Sequence, residues 1–218
     1  MRAMILAAGR GSRLRPLTDL CPKPLLPVNG RPIIDYHLER LSQAGIKDVV
    51  INTSYLGSQI QAHIKNGEKW GLSVRYSEEE TLLESGGGIL KALPLLGSEP
   101  FLVLNADMMT DYPFETLSLP KTDDIWLVCV PNSAHFKGDF DLKGDRVCRN
   151  LEKNPYTFSG ISIVSPRVFM GRDLGKFPML PLYLEAMSAG RLGGEIYNGQ
   201  WAALESLNEY KMFSKDKA

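Results

Sequence analysis

From Leu6 to Thr18 the chain reads Leu-Ala-Ala-Gly-Arg-Gly-Ser-Arg-Leu-Arg-Pro-Leu-Thr, small residues and glycines interleaved with arginines. Small side chains let backbone N–H groups approach a ligand closely, and such loops cradle phosphates. Arg13 and Arg15 add forked donors matched to phosphate oxygens. A dinucleotide turn would need a third glycine where Leu14 stands, and no Gly-Lys-Ser/Thr follows to make a Walker A loop. The segment therefore points to a nucleotide-binding loop of another kind. Ten residues after Arg13, Lys23 stands between Pro22 and Pro24, whose rings stiffen the backbone and limit where the ammonium can go. An isolated Pro-Lys-Pro is commonly a solvated loop; behind a phosphate loop it reads as a phosphate ligand. Asp107 is the first carboxylate after the apolar run Phe101-Leu102-Val103-Leu104. Such an aspartate often caps a turn, but it also ends a strand where α/β sheets bind ligands. Asp111, close by, reads as a turn residue.

This set suits phosphoryl chemistry. The three histidines, His37, His63 and His135, are scattered and read as surface or packing residues, and no Ser-His-Asp or Cys-His set is evident. Cys21, Cys129 and Cys148 are odd in number and lack a CxxC pair, as expected of reduced packing thiols in a cytoplasmic protein. Twenty-five basic residues balance twenty-five acidic ones, so no global field favours nucleic acid or an anionic membrane as a partner. The apolar stretches are too short to span a bilayer, and the N-terminal one is too short for a signal peptide.

The elements that position these residues alternate. Met4–Ala7, Asp48–Asn52, Ser73–Tyr76 and Phe101–Leu104 have strand character. Between them lie helical patterns: one opened by Pro32, with Ile33, Ile34, Tyr36, Leu38 and Leu41 at helical spacing to near Gly45, then Leu56–Ile64 and Gly86–Leu93. Strands apolar on both sides and separated by helices imply an α/β fold, a Rossmann-like, mostly parallel sheet flanked by helices. Ligands then sit beyond the carboxyl ends of the strands, in the loops after residues 7, 52, 76 and 104. The second half is less regular. It offers strands at Ile125–Val130 and Phe158–Val164, a hairpin over Gly138–Val147 around Lys143-Gly144-Asp145, and helices from about Leu180 to Ala189 and from Ser206 to Phe213. At 218 residues a single domain is expected, with residues 131–160 as a lid or small substrate-facing insertion.

The Leu6–Thr18 segment followed by Pro22-Lys23-Pro24-Leu25 closely resembles the N-terminal pattern of the sugar-nucleotide pyrophosphorylases, the sugar-1-phosphate nucleotidyltransferase family. The resemblance continues in Glu84-Ser85-Gly86-Gly87-Gly88-Ile89, Leu104-Asn105-Ala106-Asp107 and Thr157-Phe158-Ser159-Gly160-Ile161, spanning nearly the whole chain. Within the family, the Glu-Ser-Gly-Gly-Gly run, the Gly138-Asp139-Phe140 segment and the short length look most like bacterial N-acetylmuramate 1-phosphate uridylyltransferases of cell-wall recycling.

The resemblance implies the nucleotide-diphospho-sugar transferase type of fold, with residues 1–110 as a nucleotide-binding half and 111–218 as a sugar-phosphate-binding half. It implies Mg²⁺-dependent transfer of a nucleotidyl group from a nucleoside triphosphate to a sugar 1-phosphate. It also implies roles. Leu6, Ala7, Ala8, Gly9 and Asn105 would meet the nucleotide, and Gly11, Ser12 and Arg13 the departing phosphates. Lys23 would hold the α-phosphate, Glu84, Ser85, Gly86 and Gly87 would border the base, and Asp107 would bind Mg²⁺. Arg13, Lys23 and Asp107 would form the catalytic set, and Asp139, Glu152, Lys153, Thr157, Ser159 and Gly160 would meet the sugar phosphate. For Lys153, the similarity is to a Glu-Lys-Pro element, with Asn154 intervening before Pro155.

Such a reaction brings two anions together, and its nucleophile is already ionised at neutral pH. Positioning and electrostatic stabilisation suffice, with no general base. Base and sugar stay open: a guanylyl-, cytidylyl- or thymidylyltransferase on another sugar phosphate fits the same motifs.

One departure bears on activity. Relatives usually carry Trp-x-Asp-x-Gly-Thr near the C-terminus, with the aspartate as second Mg²⁺ ligand, whereas this chain reads Trp201-Ala202-Ala203-Leu204-Glu205-Ser206. Ala203 cannot coordinate, and Glu205 in an extended segment sits roughly 6–7 Å further along. Either Asp107 suffices with weakened metal affinity, or the protein is a catalytically weakened nucleotide- and sugar-phosphate-binding protein.

Overall fold

The computed structural model describes residues 1–132, 138–150, 152–204 and 206–213, so His135, Leu151 and Glu205 lie outside the described residues. In chain order the strands are β1 (Ala3–Leu6), β2 (Pro27–Val28), β3 (Arg31–Pro32), β4 (Asp48–Thr53), β5 (Ser73–Glu78), β6 (Phe101–Asn105), β7 (Met108–Thr110), β8 (Ile125–Pro131), β9 (Asp141–Lys143), β10 (Arg146–Cys148), β11 (Tyr156–Val164), β12 (Leu192–Ile196) and β13 (Trp201–Ala203). The helices are α1 (Ile33–Gln43), α2 (Gly57–Ile64), α3 (Glu84–Leu96), α4 (Leu180–Ser188) and α5 (Leu207–Phe213).

Successive strand residues point to opposite faces, and β1 shows the result. Ala3 and Ile5 join Ile34, Leu38 and Leu41 of α1 and Ile60 and Ile64 of α2 in one core. Met4 joins Ile89, Ala92 and Leu96 of α3 and Leu182 and Ala186 of α4 in the other. The central strands are apolar on both sides because helices cover both faces.

Nine strands form the main sheet in the order β5-β4-β1-β6-β11-β8-β12-β10-β9. Only β11 and β10 run against the common direction; β5, β4, β1 and β6 pair in parallel as the sequence implies, and the antiparallel pairs of β11 and β10 make the whole sheet mixed. The hairpin around Lys143-Gly144-Asp145 is β9–β10, which extends this sheet through pairing of Arg146 with Gly193 of β12. This hairpin is thus built onto the sheet's edge.

Two short ribbons lie outside the main sheet, β2–β3 and β7–β13. Sequence periodicity did not reveal β12 or β13. Gly193 and Gly194 make β12 look like a turn, yet a side chain on Gly193 would strike the Trp126 ring, and one on Gly194 would come within 2.7 Å of the Leu127 carbonyl. These glycines mark close packing inside the sheet. All three cysteines are free, with Cys129 in the core. Among the described residues no helix is long and apolar enough to cross a membrane.

Candidate functional site

Register places the site. Leu6 at the end of β1 pairs with Asn52 of β4 on one side and Asn105 of β6 on the other, so three strand ends lie abreast. Because β11 runs antiparallel to β6, its first residues arrive at this same edge. A register shift between Phe158 and Ile161 bends β11 there, and bulges of this kind commonly stand beside functional sites. Gly160 takes φ +84° at the bend, where a side chain would come within 2.9 Å of Asn105.

After β1 the chain turns at Gly11, whose φ of +63° excludes most side chains. A Cβ there would come within 2.9 Å of Thr18 and 3.1 Å of the Lys23 stem, so the loop packs directly on the lysine. Thr18 donates its hydroxyl to the Gly11 carbonyl at 2.9 Å. Pro22 is extended, and the Leu25 N–H closes a tight turn onto its carbonyl at 2.8 Å. The Lys23 stem is therefore buried, 9% exposed, and Nζ donates to Asp107 Oδ2 at 2.6 Å. Asp107 follows β6, and its own carbonyl accepts the Leu204 N–H at 2.9 Å. No described residue hydrogen-bonds Asp107 Oδ1, and the side chain is 35% exposed. Behind this turn His37 is fully buried. Burial pushes its imidazole down to about 4 against the opposing pull of the Asp107 carboxylate, so it stays neutral.

Three cavities meet at Asp107. The first, about 330 Å³, is lined by Leu6, Ala7, Gly9, Gly11, Ser12, Arg13 and Lys23. The second, about 440 Å³, is lined by Leu6, Ala8, Gly9, Asn52, Glu79, Leu82, Glu84, Ser85, Asn105 and Lys176. The third, about 320 Å³, is lined by Asn105, Asp139, Phe140, Arg149, Thr157, Phe158, Ser159, Gly160, Tyr183, Trp201 and Ala203.

Most residues singled out in the sequence thus come together, but not all. Gly86 and Gly87 lie against the 175–177 segment: a side chain on Gly86 would strike the Phe177 ring, and one on Gly87 the Gly175 carbonyl. Glu152 and Lys153 are exposed and line none of the three cavities. Arg15 turns to Asp19, 3.1 Å away at the surface. Asp111 lies directly after β7, outside any turn, and lines none of the three cavities; it accepts from the Tyr197 hydroxyl and, at 2.8 Å, from the Gln200 N–H, and the tyrosine bond holds its carboxyl below the usual range.

Other lining residues were not singled out in the sequence. The Ala7 N–H donates to Asn52 Oδ1 at 2.8 Å, Asn52 Nδ2 to Glu79 Oε1 at 2.7 Å, and the Leu83 N–H to Glu79 Oε2 at 2.9 Å. Asn52 and Glu79 are 3% and 4% exposed. Gly88 makes room for them, since a Cβ there would lie 2.6 Å from Glu79 Oε1. A polar residue closing an apolar strand could have flagged Asn52, but nothing distinguishes Glu79 within Glu78-Glu79-Glu80.

On the third cavity's wall, Asp139 Oδ2 accepts the Phe158 N–H at 2.9 Å, and Ser159 donates to the Val128 carbonyl at 2.6 Å. Trp201 Nε1 donates to the Ser159 carbonyl at 2.8 Å. Pairing of β13 with β7 sets Ala203 opposite Met108, so its methyl faces the cavity that Asp107 also lines. Among the described residues no group of three or more His, Cys, Asp or Glu side chains is placed to hold a metal. One carboxylate with a free oxygen suits a Mg²⁺ that arrives on a polyphosphate and keeps waters, since Mg²⁺ takes one or two carboxylates in such sites.

Comparison with known proteins agrees with this geometry. The Nucleotidyl transferase family pattern matches residues 2–133. The N-acetylmuramate alpha-1-phosphate uridylyltransferase of Neisseria meningitidis serogroup B is 44% identical over 211 residues, covering 92% of this chain and 91% of that one. The protein of the same name from Caulobacter vibrioides is 33% identical over 216 residues, covering 91% and 89%. The fold superposes on HddC from Yersinia pseudotuberculosis complexed with GMP-PN, with a TM-score of 0.80, 21% identity and 98% of each chain covered. Sequence and fold agree that this chain belongs to the nucleotidyl transferase family.

Proposed function

We propose that the chain transfers a uridylyl group from UTP to N-acetylmuramate 1-phosphate, giving the nucleotide-sugar and pyrophosphate. The observation that carries the reaction type is the meeting of three cavities at the Lys23–Asp107 pair. The base and sugar rest on the names of the two relatives that share nearly the full length.

In this reading the second cavity takes the nucleoside, the first takes the β- and γ-phosphates, and the third takes the sugar. Lys23 has three N–H donors. One holds Asp107, and the others remain for the α-phosphate, whose charge grows as the sugar-phosphate oxygen attacks and the bond to the β-phosphate oxygen breaks. Arg13 and the backbone of Gly11 and Ser12 receive the departing pyrophosphate. Mg²⁺, held by Asp107 and the triphosphate, would neutralise phosphate charge when bound. The incoming phosphate is already an anion, so the neutral His37 behind the turn is not required as a base.

The test is pyrophosphate release across UTP, GTP, CTP, dTTP and ATP with N-acetylmuramate 1-phosphate and other sugar 1-phosphates, at graded Mg²⁺. Turnover that requires UTP and the muramate substrate supports the reading; selectivity for another pair replaces it with that pair. Ala203 beside Asp107 favours a second reading, a nucleotide-binding protein of weakened catalysis. Silence at every Mg²⁺ concentration, in protein that binds nucleotide, would establish that one.

A further inference from the structure

Arg149 lines the third cavity, directly after β10. Every other arginine in the chain is engaged, as Arg146 is with Asp123, Arg167 and Arg191 are with Asp124, and Arg172 is with Glu185. Arg13 also has a partner. Arg149 has no ion pair, hydrogen bond or ring contact among the described residues. A guanidinium is a five-donor fork shaped for a carboxylate or phosphate, and this one faces a cavity instead of a protein anion.

The residue that follows Arg149 is tied down. The Asn150 N–H donates to Asn154 Oδ1 at 2.8 Å, and Asn154 Nδ2 returns to the Asn150 carbonyl at 3.0 Å. Asn154 is buried, and Gly138 packs so closely on its carbonyl that no side chain fits between them. Asn150 Nδ2 also bonds Asp141 of β9 at 3.1 Å. The backbone at Arg149 is therefore held between β10 and a bonded Asn150, which reduces the ordering cost of binding.

Position decides which anion it meets. Arg149 enters the cavity from the β10 end of the sheet, whereas Asp107 and Lys23 stand at the β6 and β1 end. The reacting sugar phosphate must lie beside Lys23 to reach the triphosphate, which leaves Arg149 for a second anionic group on the same molecule. Among the described residues, the remaining charged groups on this cavity's wall are the carboxylates of Asp107 and Asp139, which would repel such a group.

We infer that Arg149 is a specificity-determining residue that binds a carboxylate carried by the sugar. Resting on the proposed function, that group is the lactyl carboxylate that separates N-acetylmuramate 1-phosphate from N-acetylglucosamine 1-phosphate.

The test compares kcat/KM for these two sugar phosphates, with UTP, in the wild-type chain, Arg149→Ala and Arg149→Lys. Loss of a charge-assisted hydrogen bond to a carboxylate should lower the muramate-over-glucosamine selectivity of Arg149→Ala by about 10- to 100-fold. The loss should appear in KM for the muramate substrate, with partial recovery in Arg149→Lys. An equal loss on both substrates would mean that Arg149 holds the phosphate, and an unchanged kcat/KM on both that it holds neither; each overturns the inference. A wild-type chain with no preference for the muramate substrate overturns the substrate reading and this inference together. A wild-type preference that survives in Arg149→Ala overturns this inference alone.

Discussion

Lys23 Nζ reaches Asp107 Oδ2 at 2.6 Å across 84 residues of sequence, joining the Pro-Lys-Pro turn to the end of β6. The contact sets the ammonium in the first cavity against Asp107, the one described residue that lines all three. Lys23→Ala and Asp107→Asn should each lower kcat/KM by about 100- to 1000-fold, the scale for removing one preorganised charge-stabilising group. The double variant should lose far less than the product of the two, because each partner acts through the other. Losses that multiply would show that the pair does not act as a unit.

Ala203 tests the metal. Ala203→Asp places a second carboxylate on the cavity wall that Asp107 shares. Half-maximal activity should then require less Mg²⁺, and Mn²⁺ binding in the presence of nucleotide, followed by electron paramagnetic resonance, should tighten. No gain at limiting Mg²⁺ would dismiss a missing ligand as the defect.

Asn52→Ala removes the link between the Ala7 N–H and Glu79. Leaving these buried groups unpaired costs about 1–3 kcal/mol, so chemical denaturation should show a loss of that size. KM for the nucleotide should rise more than KM for the sugar phosphate, since Asn52 lines only the second cavity. Equal effects on both substrates would argue against a nucleoside-side role.

Gly87→Ala would drive a methyl into the Gly175 carbonyl. Overpacking of this kind costs about 1–3 kcal/mol, and for a chain of this length about 2–4 °C of Tm per kcal/mol. The Gly87 N–H also bonds the Phe177 carbonyl at 3.0 Å, so nucleotide affinity should fall as Glu84 and Ser85 shift. An unchanged melting curve would mean that the 175–177 segment yields freely.

Cys129 is buried in β8, and desolvation pushes its thiol up to about 12. Alkylation at pH 8 should spare it in the native chain and reach it after unfolding, while the half-buried Cys21 and Cys148 react first.

The sheet was legible where both faces of a strand are covered, because Ala3–Leu6 of β1, Val49–Ile51 of β4 and Phe101–Leu104 of β6 are apolar. The Gly11–Arg13 loop, Lys23 and Asp107 stood out by residue type, and the structure brings them to one cavity. What the sequence concealed were relationships. Asn52 and Glu79 matter only because register brings two strand ends together. The glycines at 86 and 87 resemble a ligand loop in sequence, yet here they admit a neighbouring segment. Arg149 looks like any other surface arginine until the absence of a partner becomes visible.

The cavity lined by Gly11 and Arg13 and the cavity lined by Asp139 and Trp201 have only Asp107 in common. For the proposed reaction, the departing pyrophosphate and the sugar therefore touch different walls, while the pyrophosphate and the nucleoside share Leu6 and Gly9. Added pyrophosphate should then compete with the nucleoside triphosphate rather than with the sugar phosphate, which product-inhibition patterns would record.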